Sequence, residues 1–166
     1  MRIDILTLFP EMFQGPFEES IVKRAQEKDL VQINLHNIRK WAADKHGTVD
    51  NKPYGGGPGM VLRVDVIDSA LKEIKSEKAK TVLLTPQGKT YSQKVAQNYS
   101  TLKHLILIAG HYEGFDERIR EHLVDEEVSI GDFVLTGGEL PAMMVVDSVV
   151  RLLPGVLGDK DSLKDE

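Results

Sequence analysis

The stretch Ser129–Pro141, S-I-G-D-F-V-L-T-G-G-E-L-P, runs straight into Ala142–Leu153, A-M-M-V-V-D-S-V-V-R-L-L. The second segment is too long and too nearly continuous in apolar residues for a surface loop, so a buried helix is expected there. The first sets Gly131, Gly137 and Gly138 among apolar residues, with Asp132 and Glu139 close by and Pro141 at the end. Glycine lets the backbone take a positive φ or approach a ligand with no Cβ in the way. A tight glycine turn feeding a buried helix is either a packing turn or one wall of a cofactor pocket. Glycine spacing alone does not separate the two.

The rest of the chain supplies the frame for that turn. Ile3, Ile5, Leu6, Leu8 and Phe9 predict a first strand that Pro10 stops. Ile21, Val22 and Ala25 predict a helix from about Glu18 to Lys28, and Val31, Ile33 and Leu35 alternate with polar residues as a half-buried strand. Asn37–Met60 breaks the pattern. This long loop ends in the glycine- and proline-rich run Pro53–Gly59, and loops of such length are usually functional or disordered. Val64, Ile67, Leu71 and Ile74 define an amphipathic helix. Thr81–Leu84 predicts a short strand stopped by T-P-Q-G. Ser92 is placed to cap a helix through about Tyr99, Leu105–Ala109 is a fully apolar strand, and Asp116 is placed to cap a helix through about Leu123. Strands alternating with helices predict an α/β fold with a mainly parallel sheet.

Composition narrows the function. At 166 residues and 41% hydrophobic, the chain suits one domain with a sizeable core, 1–158, while the polar tail 159–166 reads as the start of a linker. No run approaches the roughly 18 apolar residues of a membrane span, and the N-terminal apolar run lacks the marks of a signal peptide. Cysteine is absent, which excludes disulfide and thiolate chemistry and suits a cytoplasmic protein. The net charge of −5 counts against a dedicated nucleic-acid binder unless positive charge is local or supplied elsewhere.

Three predicted loops follow strands: Thr85–Gly88, Gly110–Phe115 and Ser129–Pro141. In open parallel sheets ligands bind outside the carboxyl ends of the strands, so these three together make a pocket candidate. None reads G-x-G-x-x-G, and none carries the lysine of a phosphate-binding loop, which argues against ordinary dinucleotide and nucleoside-triphosphate sites. The five histidines show no paired ligand spacing, so no metal site is expected. Glu113 and Asp116 are ordinary as caps and dipole partners, and Arg151 is ordinary as a snorkelling or salt-bridged arginine. Asp50 and Lys52 read as solvated turn residues.

Five motifs in order change the weight of these features. They are P-Y-G-G-G-P-G-M (Pro53–Met60), T-P-Q-G (Thr85–Gly88), G-H-Y-E-G-F-D-E-R (Gly110–Arg118), S-I-G-D-F-V-L-T-G-G-E-L-P-A (Ser129–Ala142) and D-S-V-V-R-L-L-P-G-V-L-G (Asp147–Gly158). Across essentially the whole chain they closely resemble the bacterial tRNA (guanine-N1)-methyltransferases, the TrmD family of the SPOUT superfamily. The resemblance implies an α/β domain with a deep C-terminal trefoil knot, a rare exception to the unknotted rule. It also implies methylation of N1 of guanosine-37 of tRNA from S-adenosylmethionine, by a homodimer with each active site at the subunit interface. A C-terminal tRNA-binding domain would follow the linker, so that 1–166 would be the donor-binding part and methylate tRNA only weakly or not at all by itself.

Carried over residue by residue, the resemblance implies a donor site of Leu84, Thr85, Pro86, Gly88, Tyr112, Glu113, Gly114, Ser129, Ile130, Gly131, Leu135, Thr136, Gly137, Gly138 and Pro141. Glu113 would also lie near the target guanine, and Arg151 would stabilise charge developing on guanine O6. Removing the N1 proton needs a carboxylate base. The family carries it as an aspartate in a D-S-F segment, and that position falls here on Glu166 or the adjacent Asp165. Two alternatives stand beside this reading: an inert dimeric S-adenosylmethionine-binding module, and a SPOUT ribose 2′-O-methyltransferase. The second suits neither P-Y-G-G-G-P-G-M nor G-G-E-L-P.

Overall fold

The computed structural model describes residues 1–53, 56, 59–111 and 114–158. In chain order the elements are β1 (Arg2–Thr7), a 3-10 turn (Pro10–Phe13), α1 (Gln14–Phe17), α2 (Ser20–Glu27), β2 (Gln32–Asn37) and a second 3-10 turn (Ile38–Trp41). Then follow β3 (Asp50–Asn51), β4 (Val61–Leu62), α3 (Val64–Ile74), β5 (Ala79–Thr90), α4 (Gln93–Ser100), β6 (His104–Ala109), α5 (Glu117–His122), β7 (Glu126–Ser129) and α6 (Glu139–Val150). Five strands form one sheet in the order β2-β1-β6-β5-β7, and every neighbouring pair is parallel. This is the α/β architecture with the parallel sheet that the alternation of strands and helices predicts.

A parallel sheet is covered on both faces, so its central strands read as continuous apolar runs. The two-residue period sorts them. Ile3, Ile5, Val82, Leu84, Leu105 and Leu107 pack with Val145, Val146 and Val149 of α6. Leu6, Leu83, Ile106 and Ile108 pack with Ile67, Ala70, Leu71 and Ile74 of α3 on the other face. Each such aliphatic side chain contributes about 1.5–3 kcal/mol by leaving water.

Several elements depart from expectation. β5 does not stop at T-P-Q-G: Leu84 and Lys89 both pair with Val128, and residues 85–88 arch out of the ladder between them. The turn residues do turn the chain, but the strand resumes beyond them. Ser92 stands at the N-cap of α4 without a side-chain capping bond, whereas Asp116 caps α5 by accepting from the Arg118 N–H. α6 starts at Glu139, with Pro141 inside its first turn, where a missing N–H costs nothing. β7 has no apolar alternation to announce it. Its Glu126 is held by Lys80 and Tyr99 and its Glu127 by Arg120.

One charge sits inside the sheet. Asp4 of β1 is fully buried, with His36 Nε2 2.6 Å from Oδ1, His104 Nε2 2.6 Å from Oδ2, and Asn34 Nδ2 and Arg2 completing the shell. Burial pushes the Asp4 pKa up, but the bonds from His36, Arg2, Asn34 and His104 outweigh it and hold the carboxyl well below the usual range. A depressed folded pKa means this stabilisation is present above the unfolded value near 4 and is lost as pH falls through the folded value. Asp4→Asn is expected to cost about 1.5–3 kcal/mol at pH 7, the scale of bonds to a charged group, and less at pH 3. Denaturant melts at the two pH values check this, and an equal cost at both would refute the assignment.

Candidate functional site

At the carboxyl ends of β6 and β7 and the excursion 85–88 within β5, the three predicted loops meet around a cavity of about 430 Å³. That volume lies within the ordinary range for a small-molecule site. Leu84, Thr85 and Pro86 line it from the excursion in β5, Gly114 from the loop after β6, and Ser129, Ile130, Leu135, Thr136, Gly137, Gly138 and Pro141 from the stretch after β7. The structure thus brings eleven of the expected donor-site residues to one hollow. Gly88 and Gly131 do not line it: Gly88 lies against the backbone of Val128, and Gly131 against the Phe133 ring.

Tyr112, Glu113, Asp165 and Glu166 lie outside the described residues, as do Tyr54, Gly55, Gly57 and Pro58 of the glycine-rich loop and the linker residues 159–166. Arg151 is described but stands elsewhere. It caps the C-terminal end of α6, whereas Gly138 caps the N-terminal end and lines the cavity. Twelve helical residues separate these ends by about 18 Å. Within one chain Arg151 does not line this cavity.

Two glycines hold the loops in shape. The Gly138 N–H donates to Gly110 O at 2.7 Å, so the start of α6 is clamped onto the end of β6. A Cβ on Gly138 would come within 2.7 Å of Ala109 Cα and Gly110 N, both backbone atoms that cannot swing aside. Gly114 takes φ +138°, a conformation that side chains resist. Its carbonyl accepts from the Leu62 N–H at 3.0 Å, and the Asp116 N–H donates to Leu62 O at 3.0 Å. β4, which follows the glycine-rich loop, is thereby tied to the cavity wall.

The lining is mixed in a useful way. Leu84, Pro86, Val128, Ile130, Phe133, Val134, Leu135 and Pro141 make it largely apolar, suited to a flat heterocycle, and the glycines expose backbone edges. Phe133 and Val134 are 53% and 83% exposed, more than an isolated chain normally leaves to water beside a cavity. Charge enters on one wall. Arg120 bonds Glu127 through Nε at 2.8 Å and Glu117 through Nη1 at 3.1 Å, and Glu127 first among its neighbours raises the guanidinium above its ordinary value. Across the loop, the Arg118 guanidinium beside Asp116 holds that carboxyl below the usual range.

Glu117, Arg120 and Val128 line the cavity from outside the three predicted loops, and residue reasoning gave no role to the Glu139 side chain or to Thr7. Glu139 is 2% exposed and accepts from Thr7 Oγ1 at 2.8 Å. Its only signal in the sequence is a charged residue just before an apolar helix, which is also how a solvated first turn looks. Among the described residues no cluster of three metal-binding side chains occurs, and no helix is long and apolar enough to cross a membrane.

The model of the family described as tRNA (Guanine-1)-methyltransferase TrmD matches residues 1–166. Proteins named tRNA (guanine-N(1)-)-methyltransferase align with the whole chain. The one from Staphylococcus carnosus is 54% identical, with 68% of its own length covered. That from Dictyoglomus turgidum is 55% identical with 67% covered, and that from Dehalococcoides mccartyi 56% identical with 68% covered.

Proposed function

The chain belongs to the tRNA (guanine-N1)-methyltransferase family, and on that footing we propose that it methylates N1 of guanosine-37 of tRNA with S-adenosylmethionine as donor. The observation that carries this reading is the cavity at the carboxyl ends of β6 and β7 and the excursion in β5, built from all three glycine-bearing loops. An apolar slot with glycine backbone at its edges fits the adenosine of the donor. Its backbone amides and carbonyls are free of Cβ atoms where Gly137 and Gly138 approach. Such an enzyme works where tRNA is, in the cytoplasm.

The bound donor supplies an electrophilic methyl group. The remaining work falls to the chain. Guanine N1 carries a proton at neutral pH, so a carboxylate must accept it, and Asp165 or Glu166 takes that role in our reading, with Glu113 close to both substrates. Arg151 then stabilises the negative charge that builds on O6 as N1 is deprotonated.

A homodimer is part of the proposal, because within one chain Arg151 stands at the far end of α6 from the residues that line the cavity. α6 also turns apolar side chains outward. Leu140 and Met144, one turn apart, are 49% and 52% exposed, and Phe9 and Met12 beside them are 39% and 46% exposed. The 3-10 turn Pro10–Phe13 packs on α6, and the Phe9 ring meets His111 at the cavity wall, so exposed apolar surface borders the cavity there. A second copy seated there would cover it and bring its own Arg151 to the site.

Methyl transfer to a tRNA transcript carrying G37, followed by mass spectrometry of the released nucleosides, tests the reading. The expected product is 1-methylguanosine, absent when position 37 is adenosine. A ribose 2′-O-methyl nucleoside, or donor binding without transfer, would overturn it.

A further inference from the structure

Thr7, Glu139 and His111 form a chain of contacts that the steps above leave without a task. Glu139 is the first residue of α6 and almost wholly buried. Its Oε1 accepts from Thr7 Oγ1 at 2.8 Å, and that oxygen in turn accepts from the Phe9 N–H at 3.0 Å. Its Oε2 lies 3.8 Å from Nδ1 of His111, a residue that lines the cavity. Gly137 closes the space between them: a Cβ there would fall on Oε2 and come within 2.6 Å of Nδ1. The Phe9 ring meets the imidazole edge-on, with centroids 4.9 Å apart.

A buried carboxylate is costly, and an aliphatic side chain of similar size would fill the same space without that cost. The Thr7 hydroxyl and the positive end of α6 offset part of it. Packing alone does not account for a charge here. What the charge faces is a ring at the cavity wall. His111 follows β6, and its contact with Phe9, which follows β1, puts it on the side of β6 away from β5 and β7. The residues assigned to the donor come mostly from the β5 and β7 side.

Resting on the methyl-transfer reading, we propose that Glu139 is a positioning residue: anchored by Thr7, it fixes the ring of His111, and His111 meets the acceptor purine rather than the donor. With Nδ1 turned toward the carboxylate, Nε2 occupies the far edge of the ring. With the ring proton on Nδ1 facing Glu139, Nε2 is an acceptor, and it suits the 2-amino group on the guanine edge.

The test separates acceptor from donor. His111→Ala and Glu139→Gln are each expected to leave the S-adenosylmethionine dissociation constant within about threefold while lowering tRNA methylation at least about tenfold. The double variant should fall no further than the worse single one, as for residues acting through one another. His111→Asn, which keeps an acceptor, should recover much of the loss, and the His111 ring nitrogen resonances should move in Glu139→Gln. If Glu139→Gln does not fold, Thr7→Val against Thr7→Ser gives the same split, with loss in the first and activity in the second. Donor affinity falling in step with methylation, additive losses, or wild-type rates in His111→Ala would each overturn the proposal. A wild-type protein that binds donor but forms no 1-methylguanosine refutes the methyl-transfer reading instead.

Discussion

Gly138→Val is expected to weaken S-adenosylmethionine binding at least a hundredfold, about 2.7 kcal/mol or more. The reason is steric and local. Gly138 has φ −84°, which any residue can adopt, so backbone strain is not the issue. Space is. Its N–H is bonded to Gly110 O at 2.7 Å, and any Cβ would sit 2.7 Å from Ala109 Cα and Gly110 N. These neighbours belong to the central strand and the turn after it, so relief has to come from moving the start of α6 outward. That movement displaces Gly137, Gly138 and Pro141, three lining residues of the cavity, together. Gly15→Ala, at a position with nothing within 4 Å of an added Cβ, serves as the control and should bind normally. Calorimetric titration of both variants, with thermal melts to confirm folding, decides the matter. Unchanged affinity in Gly138→Val would mean that the donor does not lie along this loop.

Arg151→Ala is expected to lower tRNA methylation at least roughly a hundredfold, the scale of a lost charge-stabilising group, while donor affinity stays nearly intact. The intact affinity follows from position, since Arg151 and the cavity lie at opposite ends of α6. The same separation yields a sharper experiment. Arg151→Ala has a sound cavity and no arginine, and Gly138→Val has a sound arginine and a spoiled cavity. If the arginine comes from a second copy, mixed dimers contain one site with both parts, and random pairing restores about a quarter of the wild-type rate. If each chain supplies its own arginine, mixing restores nothing. No recovery on mixing would refute the composite site, and a fully active Arg151→Ala would refute the role of the residue.

The fold was legible because its signals are local. β1, β6 and α3 announce themselves through period-two and period-3.6 apolar spacing, and α3 spans Val64–Ile74, with all four of the residues that predicted it at their helical positions. β7 was not legible. Its E-E-V-S sequence has little apolar content, and it is a strand because β5 offers it a ladder and because Lys80, Tyr99 and Arg120 receive its glutamates. The extension of β5 beyond T-P-Q-G has the same cause. Thr85 and Pro86 signal a turn correctly, but only pairing with Val128 and Ser129 tells Lys89 and Thr90 to return to the sheet.

The amino-acid sequence by itself determined the α/β class, the three loops that carry the candidate site and, through five ordered motifs, the family. Those depend on residue type and spacing along the chain, which a linear sequence states outright. Only the tertiary structure decided that Gly88 packs on a neighbouring strand while Gly138 borders the cavity, although both were expected at the donor site. It alone revealed that Glu139, outwardly an ordinary first-turn acid, is buried between Thr7 and His111. It likewise showed that Arg151 is a helix length away from the residues with which it shares a motif-rich segment. The physical reason is common to all three. Proximity across 132 residues, as between Thr7 and Glu139, is created by strand order and helix direction, and no local propensity encodes it.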